Sequence, residues 1–182
     1  MSLPFAIVLF LVGHWTLSVF FQTFFLHRYG AHRMFTMSRR WERFFHACTY
    51  VFQGSSYLNP RGYAILHRMH HAYSDTEQDP HSPSVSGNPF RMMNRTRDIY
   101  RSINARTFPV EARFEGGYPS WPALDRFGGR WLSSVLWAAL YTGFYFAFAT
   151  APWQFLLLPL HFFMGPVHGA IVNWFGDRKS VV

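Results

Sequence analysis

Five histidines fall in two short runs of the sequence, and histidine is the side chain that most often binds transition metals in proteins. The first run is His27-Arg-Tyr-Gly-Ala-His32, and the second is His67-Arg-Met-His70-His71. On an α-helix the three histidines of the second run fall within an arc of about 100°, so one helix face can present three imidazoles. Clustered imidazoles with open coordination positions are typical of iron sites. We therefore predict a metal centre built from both runs.

The first run does not fit one face of a regular helix. His27 and His32 are five residues apart, which is about 140° around an ideal α-helix. Gly30 lies between them and tolerates unusual backbone angles. It predicts either local unwinding or a helix end that turns His32 toward the metal.

Three apolar segments are long enough to place these runs at a membrane. Residues 3–26 carry no formal charge, and about 20 apolar residues cross the hydrocarbon core of a bilayer. Residues 131–150 and 153–175 form the second and third predicted spans, joined at Ala151-Pro152, where proline interrupts a helix. A metal centre beside a bilayer favours a lipid-like substrate.

Charge is concentrated between the first and second spans. Of the 17 Lys and Arg, 15 lie in residues 27–130 together with 8 acidic residues, and none lies in the predicted spans. This asymmetry predicts a cytoplasmic cap over residues 27–130. Nucleic acid is not an expected partner, because no basic helix or aromatic RNA-binding motif accompanies the charge. The length predicts a single domain over residues 1–182. The helical spans predict that its fold class is all-α.

One part of the predicted cap has helical periodicity. Apolar residues recur at helical spacing, and polar residues such as His46 fall on the other side; the apolar set is Trp41, Phe44, Phe45, Cys48 and Phe52. This pattern predicts an amphipathic helix. It either lies on the membrane surface or packs its apolar face on the cytosolic core, and the sequence leaves both alternatives open.

The two runs resemble the first two histidine boxes of the membrane fatty-acyl desaturases of the bacterial type. Three further stretches add to the resemblance, which covers most of residues 10–176: Ser74-Asp75-Thr76-Glu77, Asp79-Pro80-His81, and Gly165 to Trp174. The resemblance implies a mushroom-like fold in which membrane helices lie beneath a cytosolic helical cap. It also implies an integral protein of the bacterial inner membrane with its active-site face in the cytoplasm.

The implied activity is insertion of a cis double bond into a long-chain acyl-CoA, using O2 and two electrons. An unactivated methylene offers no acidic proton, carbonyl or leaving group, so a redox metal must carry the reaction. The implied cofactor is a pair of non-haem iron ions. The implied partners are an external electron-transfer protein with its reductase, and the lipid bilayer. Acyl carrier protein or a phospholipid remains an alternative carrier, because Ile65-Leu66 replaces the Arg-Asp pair that precedes this box in animal acyl-CoA desaturases.

The resemblance assigns roles to particular side chains, and no catalytic residue is expected apart from the metal ligands. The ligands are His27, His32, His67, His70 and His71, with Asn173 acting through a water and Asp177 as a possible replacement ligand. Gln53, Tyr57 and Tyr63 are predicted to line the path of the acyl chain. His81 is predicted to orient a ligand imidazole, as neighbouring polar groups commonly do at metal sites.

The desaturase pattern is incomplete in these 182 residues. The third histidine box is absent, and Gly176-Asp177-Arg178-Lys179 replaces a family motif that contains a further histidine. We therefore predict a C-terminally incomplete chain that binds metal weakly and does not desaturate by itself.

Other functions compete with the desaturase interpretation. One is a related membrane di-iron hydroxylase or oxygenase, and another is a truncated remnant without activity. A third is a haem binder that pairs His14 with His161 or His168. His14 is thirteen residues from His27, roughly 20 Å along a helix, so we predict an interhelical hydrogen bond for it rather than a place in the metal centre.

Overall fold

The computed structural model describes residues 5–176, which contain helices and turns and no β-strand. The predicted all-α class is therefore confirmed. The α-helices are α1 Ala6–Phe21, α2 Arg39–Gln53, α3 Pro60–Tyr73, α4 Pro83–Ser86, α5 Pro89–Asn104, α6 Pro122–Gly128, α7 Trp131–Phe148, α8 Leu158–Phe162 and α9 Met164–Ile171. π-Helices occupy Gln22–Ala31 and Val172–Gly176, and 3-10 turns occupy Gly54–Ser56, Ala112–Phe114 and Pro152–Leu157.

Within residues 5–176, two helices are long and apolar enough to cross a membrane. The first runs without a break from Ala6 to Ala31, because the π-helix continues α1, and its mean hydropathy is 1.6. The second is α7, with a mean hydropathy of 1.2. The structure therefore supports the prediction of an integral membrane protein.

The third predicted span, 153–175, is broken in the middle. The helices Pro152–Phe162 and Met164–Gly176 meet at an angle of 66°. Pro166 has no N–H to donate to the carbonyl of Phe162, four residues earlier. The hydroxyls of Ser55 and Ser56 donate to that carbonyl instead, at 2.8 and 3.3 Å, so the break leaves no unsatisfied backbone acceptor there.

Helix α2 has its polar side buried. His46, Thr49 and Gln53 are at most 1% exposed, whereas Trp41 and Phe44 are more than half exposed. Part of the apolar side packs on α1, where Phe52 stacks on Phe21 with ring centroids 5.0 Å apart. An exposed apolar face on a helix beside a membrane span agrees with the alternative in which α2 lies at the membrane surface.

The contacts of the chain divide it into two compact units. Among the described residues, unit 1 comprises 5–25, 38–58 and 121–165, and unit 2 comprises 26–37, 59–120 and 166–176. The segment 38–58, predicted as part of the cap, is thus grouped with the spans. The prediction of a single domain stays a prediction.

Unit 2 has its own apolar core, which fixes the orientation of α3. Asn59 caps this helix by accepting from the backbone N–H groups of Arg61 and Gly62, and Pro60 occupies the first turn. One side of α3 packs into a cluster with α5 and the turn at Phe114; the buried members are Ile65, Leu66, Met69, Ile103 and Phe114. The histidines of the second run lie on the remaining sides of the same helix.

Candidate metal centre

A π-helix resolves the spacing problem of the first histidine run. In Gln22–Ala31 the backbone bonds run from residue i to i+5, and the N–H of His32 donates to the carbonyl of His27 at 2.9 Å. This bonding places residues five apart one above the other. The ring centroids of His27 and His32 are consequently 4.5 Å apart. The sequence predicted either local unwinding or a helix end that turns His32. The π-helix ends at Ala31, directly before His32, so the helix end is the alternative that the structure supports, and the wider helix adds to its effect.

Four histidines of the two runs meet in unit 2. Their metal-binding nitrogens lie within 4.8 Å of one another, and the set is His27, His32, His67 and His71. Successive Nε2 atoms are 3.1 Å apart for His27 and His32, 2.9 Å for His32 and His67, and 3.0 Å for His67 and His71. His27 and His67 are half-buried, and His32 and His71 are exposed. We call this set the four-histidine cluster.

Hydrogen bonding among the rings cannot satisfy the four-histidine cluster. Each Nε2 of a neutral imidazole carries either one hydrogen or one lone pair. With alternating tautomers, two hydrogens are available for the three close contacts between Nε2 atoms. A cation would instead accept a lone pair from all four nitrogens. The donor set therefore fits a transition metal that favours imidazole, such as iron or zinc.

His70 points its ring into a different group. Its Nδ1 lies 3.0 Å from both carboxylate oxygens of Asp79. The ring of His81 stacks on it, with centroids 4.1 Å apart and planes 25° apart. Asp79 is fixed in turn, because it accepts from the backbone N–H of His81 at 3.0 Å and of Asp75 at 3.2 Å. A carboxylate on Nδ1 holds the tautomer that leaves Nε2 as the ligand atom.

The electrostatics keep these groups in the protonation states that metal binding requires. Burial, reinforced by the neighbouring histidines, lowers the pKa of His67 to about 2. Burial beside His70 lowers the pKa of His81 to about 4. Burial raises the pKa of Asp79, but the hydrogen bonds from His70 and the His81 backbone outweigh it, so the net shift is downward. At neutral pH the two imidazoles are uncharged and Asp79 is an anion, as ligands and their partners must be.

The remaining predicted site residues lie in several places. Tyr63 stacks beside His67 in unit 2, with centroids 5.8 Å apart. Asn173 is half-buried in the π-helix Val172–Gly176, and Asp177 lies outside the described residues.

Two further predicted site residues lie in unit 1. The Tyr57 hydroxyl donates to Asp125 at 2.8 Å. Gln53 is buried there and accepts from the backbone N–H of Leu58; the roles of all five stay predictions.

A second histidine pair lies among the helices of unit 1. His14 Nδ1 and His161 Nε2 are 2.8 Å apart, and both rings are buried. Two imidazoles bound on opposite sides of a haem iron, at about 2.0 Å each, would place their nitrogens roughly 4 Å apart. One N–H is enough for the single contact of this pair, so it is an interhelical hydrogen bond, as expected for His14. The separation disfavours a haem iron held between these two residues.

Sequence reasoning missed two contributors to the metal centre. The sequence pattern places Asp79 in a motif but does not predict that its carboxylate orients His70. It assigns no role to Arg68, whose side chain donates to four backbone carbonyls. An arginine within a run of candidate metal ligands, on the polar side of an amphipathic helix, is the signal that could have identified it.

Comparisons with known proteins agree with the resemblance. The model of the fatty acid desaturase family matches residues 2–179. The chain is 35% identical over 78 residues to a hex-5-enoyl-[acyl-carrier protein] acetylenase of Moorena producens (strain JHB), covering 41% of this chain and 22% of that protein. It is 38% identical over 84 residues to the Delta-9 desaturase-like 4 protein of Arabidopsis thaliana, covering 45% and 25%. The matches span about a quarter of these relatives, and no solved structure matches.

Proposed function

Because this chain belongs to the fatty acid desaturase family, we propose that it carries part of the active site of a membrane di-iron acyl desaturase. The proposed reaction inserts a cis double bond into a long-chain acyl group with O2 and two electrons. The single observation that carries the proposal is the four-histidine cluster, whose nitrogens lie within 4.8 Å of one another. Its members are four of the five box histidines that the family resemblance assigns to metal.

The four-histidine cluster would hold one iron ion, and His70 would contribute to the second. Iron ligated by neutral nitrogens supplies the capacity to bind O2 and to oxidise an unactivated C–H bond. The residues of the chain position and tune the ligands. Asp79 holds the Nδ1 hydrogen of His70, and His81 covers the face of the same ring. We further propose Asn173, through a water, and Asp177 as contributors to the second ion.

The acyl carrier and the partners are part of the same proposal. We propose acyl-CoA as the carrier. Acyl carrier protein is a specific alternative, because one relative is named for an acyl-carrier-protein substrate. Gln53, Tyr57 and Tyr63 would border the acyl chain. An external electron-transfer protein with its reductase would supply electrons, and the active-site face would lie in the cytoplasm beside a bacterial inner membrane.

Iron uptake by the purified chain tests the proposed metal centre and does not depend on turnover, and product analysis on the iron-loaded chain tests the reaction. The purified protein, in detergent, is supplied with O2, a reductase and carrier system, and stearoyl or palmitoyl groups on either CoA or acyl carrier protein. An alkene product supports a desaturase, and an alcohol product instead identifies a hydroxylase. Iron content is measured in parallel, since a protein that never takes up iron would contradict the proposal at its base.

Whether these 182 residues can bind metal and desaturate without further protein is a separate question. The sequence predicts that they bind metal weakly and give no product, and this stays a prediction. Stoichiometric iron together with turnover of a saturated acyl chain by the purified chain would show it to be wrong.

A further inference from the structure

The two histidine runs of unit 2 are joined through arginine side chains and one loop. We propose that Arg68 and Arg33, acting through the loop 114–117, are positioning residues that set the separation of the two runs and hence the affinity for metal. The inference rests on the proposed metal centre. Neither arginine is a ligand, and the loop contributes no ligand.

Arg68 follows His67 directly and uses its whole guanidinium group. Its Nε donates to the carbonyl of Ala31 at 2.9 Å, and Nη2 donates to that of Gly30 at 3.0 Å. Its Nη1 donates to Phe114 at 2.8 Å and to Gly116 at 2.9 Å. One side chain of α3 thus binds the backbone beside His32 and the loop at the same time. The planar fork of arginine matches such a set of acceptors, whereas the ammonium of lysine directs its donors from a single point.

Arg33 makes the corresponding contact from the first run. It follows His32 directly, has a left-handed backbone with φ of 53°, and donates from Nη2 to the carbonyl of Gly116. The residues that follow His32 and His67 therefore share one backbone acceptor. A non-glycine residue in this conformation is strained, so the surrounding contacts must hold it.

The loop is shaped to accept both arginines. Phe114 is buried in the apolar core of unit 2, which anchors the start of the loop. Gly116 and Gly117 have φ of 78° and 68°, which side chains rarely adopt. A Cβ on Gly117 would lie 1.9 Å from the guanidinium carbon of Arg33. Alanine at 117 would therefore both strain the loop and displace Arg33.

Through these contacts, the loop affects the positions of the histidines although it contains none of the proposed metal ligands. Because each arginine adjoins a histidine of the four-histidine cluster, losing the shared acceptor lets His32 and His67 move apart. A displacement of a few tenths of an ångström is enough to weaken coordination, since ligand distances must hold within about 0.2 Å. A purely structural role would lower stability without changing the coordination of a bound ion.

Cobalt(II) binding to the purified chain in detergent tests the proposal. Cobalt(II) reports both affinity and, through its visible absorption bands, coordination geometry. Arg68→Lys keeps the charge and removes the fork. It is expected to bind cobalt about 10- to 100-fold more weakly, the range seen when a group that orients a ligand is lost, and to change the absorption bands. Gly117→Ala is also expected to lower the affinity for cobalt and to change the absorption bands.

Two controls separate positioning from stability. Arg97→Lys alters an exposed arginine of α5 that pairs with its neighbour Asp98, and it should bind cobalt as the wild type does. His161→Ala removes a hydrogen bond in unit 1 and should lower the thermal midpoint while leaving affinity and spectrum unchanged.

The outcomes are distinguishable from failure of the proposed function. Wild-type affinity and an unchanged spectrum in Arg68→Lys would overturn the positioning role while leaving the metal centre intact. If the wild type binds no cobalt, the metal centre itself is overturned, and the inference with it. If circular dichroism shows that Arg68→Lys is unfolded, Arg33→Lys takes its place in the test, because it alters an exposed side chain and keeps the four hydrogen bonds of Arg68. Weaker binding with altered bands supports the proposal, and wild-type behaviour overturns it.

Discussion

Unit 1 and unit 2 each bring histidines from distant parts of the chain to within about 3 Å, with different consequences. In unit 1, His14 and His161 are 8% and 0% exposed, and one N–H satisfies the single contact between them. In unit 2, the four-histidine cluster is half open to solvent and has more contacts than available hydrogens. Distance alone therefore does not distinguish a metal site from a hydrogen bond. The number of converging lone pairs and the access of solvent do.

The surroundings reinforce the contrast. The Nδ1 of His161 faces the Tyr145 hydroxyl at 3.4 Å, and the ring of Tyr141 stacks on His161 with centroids 4.3 Å apart. The pair is thus enclosed by aromatic side chains of the spans. The metal centre is instead supported by a carboxylate, Asp79, and by arginine-bound backbone, which hold ligands while leaving them accessible. In unit 1 the histidines form a buried hydrogen bond between helices, and in unit 2 they form the cluster for which we propose metal coordination.

Removing one histidine from each unit should give the largest difference. His67→Ala takes away the nitrogen that contacts both His32 and His71, so iron or cobalt affinity should fall by more than about 100-fold. His14→Ala should leave metal content unchanged. Metal analysis of the two purified variants measures these effects. Loss of metal in His14→Ala would contradict the proposal that only the histidines of unit 2 bind metal.

Asp79→Asn should lower the affinity for the second ion by about 10- to 100-fold, because a neutral amide replaces the carboxylate that accepts the hydrogen bond from His70. Occupancy of the ion held by the four-histidine cluster should change little. A titration that resolves two binding steps gives the measurement. Asp98→Asn, at an exposed site beside Arg97, is the matched control. Equal loss of both ions in Asp79→Asn would show that the two groups form one inseparable site.

The hydrogen bond between His14 and His161 should contribute a modest coupling free energy to the stability of the protein. A double-mutant cycle of His14→Ala and His161→Ala is expected to give about 0.6 kcal/mol and at most about 1.7 kcal/mol, the range for hydrogen bonds between membrane helices. The free energy of unfolding in detergent or bicelles provides the values. A coupling of zero would mean that the two rings are not bonded in the membrane-inserted protein.

The metal-free protein should lose stability as the pH falls below about 6.5. The pKa of His67 is lowered from 6.5 to about 2, and that of His81 from 6.5 to about 4. The unfolded chain therefore takes up protons in this window while the folded chain does not, and each group contributes up to about 1.4 kcal/mol per pH unit. His67→Gln should flatten the fall in unfolding free energy between pH 6.5 and pH 5. An identical slope in the variant would contradict the low pKa of His67.

Much of the fold was predictable because composition and periodicity act locally. A run of uncharged residues predicted the first span, and Pro152 predicted the break after α7. The spacing His67, His70 and His71 predicted three imidazoles on one helix, and the structure places all three on α3. Their separation into two groups was not predictable, since it depends on Asp79 folding back to within 3.0 Å of His70.

The remaining features required knowledge of backbone geometry. An ideal helix separates His27 from His32, and only the π-helix brings them together. Periodicity correctly predicted that α2 is amphipathic, but it did not reveal that His46, Thr49 and Gln53 would form the buried side. In a membrane the usual relation between polarity and burial is reversed, so the pattern fixes the two faces without saying which one points inward.

X-ray absorption at the iron edge of the iron-loaded chain tests the central claim most directly. If the four-histidine cluster binds the ion, the spectrum shows nitrogen neighbours at about 2.0–2.2 Å and the outer-shell scattering of several imidazole rings, and this scattering is lost in His67→Ala. A first shell of oxygen alone, without imidazole scattering, would contradict the account.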